Sequence, residues 1–592
     1  MRCDKKKMEE PAMKVLLVAI NSKFIHSNLA LRYLKAYCSK EHSMDLLEFS
    51  INDHIERIIR EIYFVRPDVV AFSCYIWNIR EVLMVADTLK RVMDRCAIVL
   101  GGPEVAFDAG DVMRDNPAVD YIVAGEGEET FHELLHILED KGNPAQVKGL
   151  VYRHGRDIVV NPARPLIQDL DMIPFPYQDG FAGLENKVLY YETSRGCPFN
   201  CQYCLSSTIP GVRYFSLERV ERELALFVKA GIPQVKLVDR TFNCNPVRAK
   251  HIFKTLISLG GQTNFHFEMA GDLIDDEMLD ILRQAPPGLF QFEIGVQSTN
   301  PDTIHEIQRK MDFDALARAV ARLRDSGNIH LHLDLIAGLP EEDYASFKRS
   351  FNDVYFLRPN RIQLGFLKLL KGSGLRLRAE KYGYEYTQYP PYKVLRNNYI
   401  TYEEIAKLEM IEDLVEKYYN SGRFKYTLEY LISCHDDNPF EFFERFMAFW
   451  KGKGYEGLSY SQIRLYEILL EYGLTLDNVD HRLLTNIMRF DWVSQEKPSR
   501  YPEGIEPPQI PGLSKAVDSF FKNEENVLKF MPHLKGYTPR QISRMSHIEV
   551  FEYDVVEGVK SGVYPPSITY VLFDYNVGNR IFRRSNFHKV RL

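Results

Sequence analysis

The stretch SRGCPFNCQYC places Cys197, Cys201 and Cys204 four and three residues apart, in a chain with nine cysteines among 592 residues. Clustered thiolates are ligands for soft metal centres. A structural zinc site takes four ligands, usually as two paired knuckles. No second C-x-x-C occurs, and the spare thiols Cys74 and Cys244 are single. Three thiolates suit a cubane iron–sulfur cluster with one iron left open to a substrate or cosubstrate. Zinc remains the alternative on these residues alone. Gly196 and Pro198 keep the segment out of helix.

The elements around this loop follow from hydrophobic period. KVLLVAI (Lys14–Ile20) is a continuous apolar run, read as a buried parallel strand. Helical patterns then alternate with the strands DLLEFS, DVVAFSC, AIVLGG and YIVAG. Such alternation predicts a doubly wound α/β domain over 13–150. A bridge over 151–187 holds a hairpin and the Pro-containing stretch DLDMIPFP. Six further strand–helix units over 188–370 predict a partly closed parallel barrel. Its first strand, VLYYETS, runs into the cysteine loop, so the thiols belong at the carboxyl ends of the strands, where such barrels carry their chemistry. Residues 371–592 read as mainly helical, with a small sheet near SITYVLFDY (Ser567–Tyr575) and a basic tail over 576–592. That tail reads as solvated or packed on an acidic face rather than as a phosphate or RNA contact. Residues 1–12 read as a flexible extension and not a signal peptide, because they are charged and lack an apolar core.

Ligands of doubly wound sheets sit beyond the strand ends. The exits here are NSKFIHSN, SCYIWN, GGPE and GEGEE. They make Ser22, Ser73, Tyr75, Trp77, Gly101, Gly102, Pro103, Glu104, Gly125, Glu126 and Gly127 candidates for one ligand. The formal charge of −7 argues against a nucleic-acid coat or a polybasic membrane anchor. No apolar run of about 18 residues predicts a membrane span. Dispersed cysteines fit a reducing cytoplasm.

C-x-x-x-C-x-x-C after the first strand of a six-unit barrel resembles the radical S-adenosylmethionine (SAM) superfamily. The resemblance implies a [4Fe-4S] cluster on Cys197, Cys201 and Cys204. SAM would chelate its open iron and be cleaved to a 5'-deoxyadenosyl radical. It also implies SAM contacts from Tyr203, Thr241, Glu268, Gln297, Arg309 and Asp334, with Arg309 facing the carboxylate and Asp334 the ribose hydroxyls. The first block resembles the flavodoxin-like cobalamin (B12) domain of cobalamin-dependent members. The D-x-H-x-x-G motif whose His binds cobalt is absent, and His26 lacks its neighbours, so cobalamin is expected without a protein His ligand. The third block is similar to the DUF4080-like C-terminal extension of one subgroup. Together these imply an enzyme that methylates an unactivated carbon of a small molecule rather than RNA or protein, drawing electrons from a flavodoxin- or ferredoxin-type reductant. The alternatives are a non-methylating radical rearrangement or oxidation, and a non-catalytic B12 sensor. The resemblance names no catalytic residue.

Overall fold

A computed structural model describes residues 13–140, 142–575 and 585–592. The expected flexible extension and residues 576–584 of the basic tail lie outside the described residues.

Strand β1 (Lys14–Asn21) is apolar from Val15 to Ile20 because both its faces are covered. Leu16, Val18 and Ile20 enter one core, while Val15, Leu17 and Ala19 enter another. It lies between β2 (Ser43–Ser50) and β3 (Val69–Ser73), with β4 (Ala97–Gly101) and β5 (Tyr121–Val123) following, all parallel. Helices α1 (Leu29–Cys38), α2 (Ile55–Val65), α3 (Ile79–Val92), α4 (Pro103–Ala106), α5 (Ala109–Asp115) and α6 (Gly127–Asp140) alternate with the strands. The hairpin expected in the bridge, β6 (Leu150–His154) and β7 (Asp157–Val160), instead continues this sheet antiparallel from β5. Local sequence marks a hairpin, but only the free edge of β5 decides where it pairs.

The second sheet is parallel and six-stranded. β8 (Val188–Tyr191) begins it. The cysteine segment then leaves it as a separate antiparallel hairpin, β9 (Ser194–Cys197) with β10 (Gly211–Tyr214). β11 (Gln234–Leu237), β12 (Asn264–Met269), β13 (Phe290–Gln297), β14 (His330–Ala337) and β15 (Arg361–Phe366) complete it. The single strand expected over 188–194 breaks because Asp239, buried just past β11, captures the chain there. It accepts hydrogen bonds from the Thr193 amide at 2.9 Å, the Thr193 hydroxyl at 2.7 Å and the Ser194 hydroxyl at 2.5 Å.

Alternation along these strands separates packing from chemistry. Val235, Leu237, Phe265, Phe267, Phe290, Phe292, Leu331 and Leu333 enter the large core. Their neighbours Lys236, His266, Glu268, Glu293, His332 and Asp334 have the opposite parity, so they line the concave side. Beyond β14, buried Glu342 accepts from the hydroxyls of Ser298 and Ser350 at 2.7 and 2.9 Å. Burial pushes its carboxyl from the ordinary 4.5 up to about 7. The folded state therefore holds a proton that the unfolded state releases. Stability is full below the unfolded value and lost as pH rises from about 4.5 to 7, by at most about 3 kcal/mol. Glu342→Gln keeps the acceptor and should flatten that part of the denaturation profile. An unchanged slope between pH 5 and 8 counts against the assignment.

The third unit starts with a small hairpin, β16 (Glu385–Tyr386) with β17 (Val394–Arg396). The first long helix of this mainly helical unit runs from Tyr402 to Leu414 behind a Thr401/Glu404 capping box and then widens into a π-turn, Val415–Tyr419. Further helices lead to an antiparallel sheet of β18 (Ser546–Tyr553), β19 (Pro566–Asp574) and β20 (Asn586–Val590). In the described end of the basic tail, Lys589 pairs with Asp554. No described helix is long and apolar enough to cross a membrane.

Candidate active site

A cavity of about 190 Å3 opens at the carboxyl ends of the second sheet. Cys197, Cys201 and Cys204 line it, together with Tyr203, Thr241, Glu268, Gln297, Arg309 and Asp334. Every residue expected from sequence to hold the cluster or SAM therefore faces one space.

Arg309 is the hinge of this arrangement. Its guanidinium lies 3.9 Å from the Cys201 sulfur, donates to the Tyr203 hydroxyl at 3.1 Å and donates to the Gly295 carbonyl. Burial pushes the Cys201 thiol up, against the pull of Arg309. Thr241 Oγ1 is 3.7 Å from the Cys197 sulfur. The register shifts between Gly295 and Gln297, and Gln297 stands at φ 74°. Such a bulge with a left-handed non-glycine residue costs about 1–3 kcal/mol and re-aims one side chain. Gly295 leaves room for the Gln297 side-chain amide, whose nitrogen would stand 2.3 Å from a Cβ placed there.

The buried polar atoms Gln297 Oε1 and Arg309 Nε have no hydrogen-bond partner, while Asp334 Oδ1 lies 3.2 Å from His332 Nε2 without an aligned hydrogen bond. Native proteins seldom leave such groups unsatisfied. An acceptor, a guanidinium donor and a carboxyl beside three thiols match the donor set wanted by SAM on a thiolate-held cluster, so the residues fit those groups. Burial, with Glu293 and Glu268 nearby, holds the Asp334 carboxyl well above its usual range. Glu293 goes the other way: although burial raises it, His266 and Lys236 hold it down, the latter at 2.9 Å.

A second cavity, of about 600 Å3, lies beyond the strand ends of the first sheet and reaches the barrel. Ser22, Ser73, Tyr75, Trp77, Gly101, Gly102, Gly125, Glu126 and Gly127 line it. Tyr75 and Trp77 stack at 4.5 Å between ring centroids, giving a flat apolar wall. Pro103 and Glu104 are not among the lining residues. Pro103 starts α4, and Glu104 is buried against the third unit, accepting from the Tyr392 hydroxyl with Lys371 at 3.7 Å. Nothing near GGPE in sequence points to a partner so distant. His26 is a lining residue, with Nδ1 2.8 Å from the Tyr190 hydroxyl. Gly102 has φ 120°, and a Cβ there would stand 2.5 Å from the Cys74 carbonyl oxygen. Gly102→Ala should therefore displace this floor and weaken binding of the cobalamin expected from sequence about tenfold or more, since 1.4 kcal/mol of strain suffices. A titration of the corrin absorbance within twofold of wild type would contradict this.

Sequence reading missed the charges between the two cavities. Arg195 pairs with Glu128 at 2.6 Å, Glu192 at 2.8 Å and Glu126 at 3.3 Å, while Arg213 meets Glu126 at 2.8 Å. Glu126 is thus spoken for by two arginines of the cysteine hairpin. Arg195, two residues before Cys197, was the available signal. Arg240 lines both cavities; the thiol loop and the first sheet's exits share that wall.

Comparison with known proteins follows the same division. Residues 15–135 match the B12 binding domain, 191–354 the Radical SAM superfamily, and 380–573 a protein of unknown function, DUF4080. The chain is 31% identical over 301 residues to a cobalamin-dependent radical SAM methyltransferase, TokK, of Streptomyces tokunonensis, covering 48% of this chain and 44% of that protein. It is 27% identical over 448 residues to a 2-(S-pantetheinyl)-carbapenam-3-carboxylate methyltransferase of Streptantibioticus cattleyicolor, covering 69% and 65%. It thus spans less than half of the first of these relatives. Among solved structures, the cobalamin-dependent SAM radical enzyme OxsB with aqua-cobalamin and SAM bound superposes with TM-score 0.57 at 17% identity, over 82% of this chain and 79% of that one. The radical SAM methyltransferase TsrM of Kitasatospora setae gives 0.54 at 17%, over 64% and 82%. At these identities the structural likeness concerns the fold.

Proposed function

We propose that this chain, a cobalamin-binding radical SAM protein by its three matched segments, is an enzyme that methylates an unactivated carbon of a small molecule. The observation that carries the reading is the shared wall at Arg240, where the thiol-lined cavity adjoins the larger cavity over the first sheet. When bound, the cluster and SAM supply a hydrogen-abstracting 5'-deoxyadenosyl radical, and cobalamin supplies a methyl carrier.

The protein's own part is positioning and exclusion. Cys197, Cys201 and Cys204 would hold three irons. Arg309 would face the SAM carboxylate, and Asp334 and Gln297 would face its ribose hydroxyls. Tyr203 holds Arg309 in place at 3.1 Å. The stacked Tyr75 and Trp77 would flank the corrin. The ion-pair mesh of Arg195, Arg213, Glu126 and Glu128 ties the first sheet's exits to the cysteine hairpin, which keeps the distance between the two cavities fixed. Electrons would come from a flavodoxin- or ferredoxin-type donor, in the cytoplasm.

The test is anaerobic turnover with methyl-labelled SAM and candidate substrates, following 5'-deoxyadenosine and S-adenosylhomocysteine together. Both products with label in the acceptor support methylation. Deoxyadenosine without S-adenosylhomocysteine indicates a rearrangement or oxidation, and a cluster that never cleaves SAM indicates a sensor.

A further inference from the structure

Away from both cavities, three imidazoles converge on the first unit. His42 lies in the turn between α1 and β2, and His132 and His136 lie one turn apart on α6. Their ligand atoms are all within 4.8 Å of one another. A carboxylate joins them: Glu41 Oε2 is 3.4 Å from His132 Nε2 and 3.0 Å from His136 Nε2, and the two Nε2 atoms are 3.3 Å apart. In a tetrahedral zinc site with bonds of about 2.0–2.1 Å, ligand atoms stand about 3.3–3.4 Å apart. Three of the four ligands therefore already sit near the corners of one tetrahedron.

The fourth corner has its own evidence. The His42 side chain is fully buried. Its Nδ1 lies 3.2 Å from Glu139 Oε1, while its Nε2 has no hydrogen-bond partner. A ligating histidine typically donates its other ring N–H to a carboxylate, which fixes the tautomer and aims the lone pair. Hydrogen bonding among the imidazoles leaves this buried nitrogen unexplained, and a cation explains it. We infer that His42, His132, His136 and Glu41 form a binding site for a zinc-class divalent ion, with Glu139 orienting His42.

The α6 segment reads HELLH, the H-E-x-x-H spacing of hydrolytic zinc sites. Hydrolysis would need an open coordination position and a free glutamate. Here Glu41 fills the fourth position, and Glu133 is ion-paired with Arg164. The site is therefore closed, and its role is to clip α6 to the turn that ends α1. The first turns of those two helices line the larger cavity, so the ion would brace that wall without touching it.

Zinc added to the full chain with cluster and cobalamin assembled tests this, since the three clustered thiols are then occupied. After gel filtration, about one zinc per chain should remain. Its X-ray absorption fine structure should show a four-atom nitrogen and oxygen shell at about 2.0–2.1 Å. His132→Ala and the more exposed His136→Gln should each weaken retention by about 100-fold or more. No retained zinc, a sulfur shell at about 2.3 Å, a six-oxygen shell, or retention unchanged in both variants overturns the assignment. The wild-type spectrum decides even where a variant misfolds.

Discussion

Cys201→Ala should lower reductive SAM cleavage by about 10³-fold or more, a barrier increase of about 4 kcal/mol. Cys201 is the most enclosed of the three thiols, buried beneath Arg309 while Cys197 and Cys204 are half-buried. Its loss removes one cluster ligand and leaves the Arg309 guanidinium facing a gap rather than a thiolate, so cluster iron and acid-labile sulfide should fall along with activity. Because burial raises the Cys201 thiol, cluster assembly in the wild type should speed up as pH rises and more thiolate forms. Full iron content with cleavage within tenfold of wild type would remove Cys201 from the cluster.

Arg309→Ala separates SAM binding from cluster holding. The side chain supplies charge-assisted donors in a buried setting, each worth about 1.5–3 kcal/mol. SAM affinity should fall by about 10–100-fold while iron content stays near wild type. Arg309→Lys keeps the charge but not the planar fork and should recover only part of it. The structural cost falls on Tyr203 and on the Gly295 carbonyl, which lose their donor. If iron content falls as far as SAM affinity does, Arg309 serves the cysteine loop rather than SAM.

Much of the cluster site was legible because its signals are local. The three thiols and Tyr203 fall within eight residues, and Thr241, Glu268, Gln297 and Asp334 lie at or near the ends of strands with a recognisable period. The larger cavity was legible in outline through its small-residue exits, yet Glu104 does not line it. A buried carboxylate takes whichever donor the fold brings to it, and here Tyr392 and Lys371 come from another unit. The ion pairs of Arg195 with Glu126 and Glu128 and the strand break at Thr193 were hidden for the same reason. Each depends on a partner tens of residues away, such as Asp239 for Thr193.

The sequence alone determined the thiol triad and the alternating strands and helices, each with its own residue period. These are periodicities of two and about 3.6 residues, imposed by backbone geometry on any chain. Tertiary structure alone decided that the hairpin at Leu150–Val160 extends the first sheet, that Arg240 lies between two cavities, and that His42 meets His132 and His136. Such encounters join segments through packing and desolvation, whose energies depend on three-dimensional neighbours that no local spacing encodes.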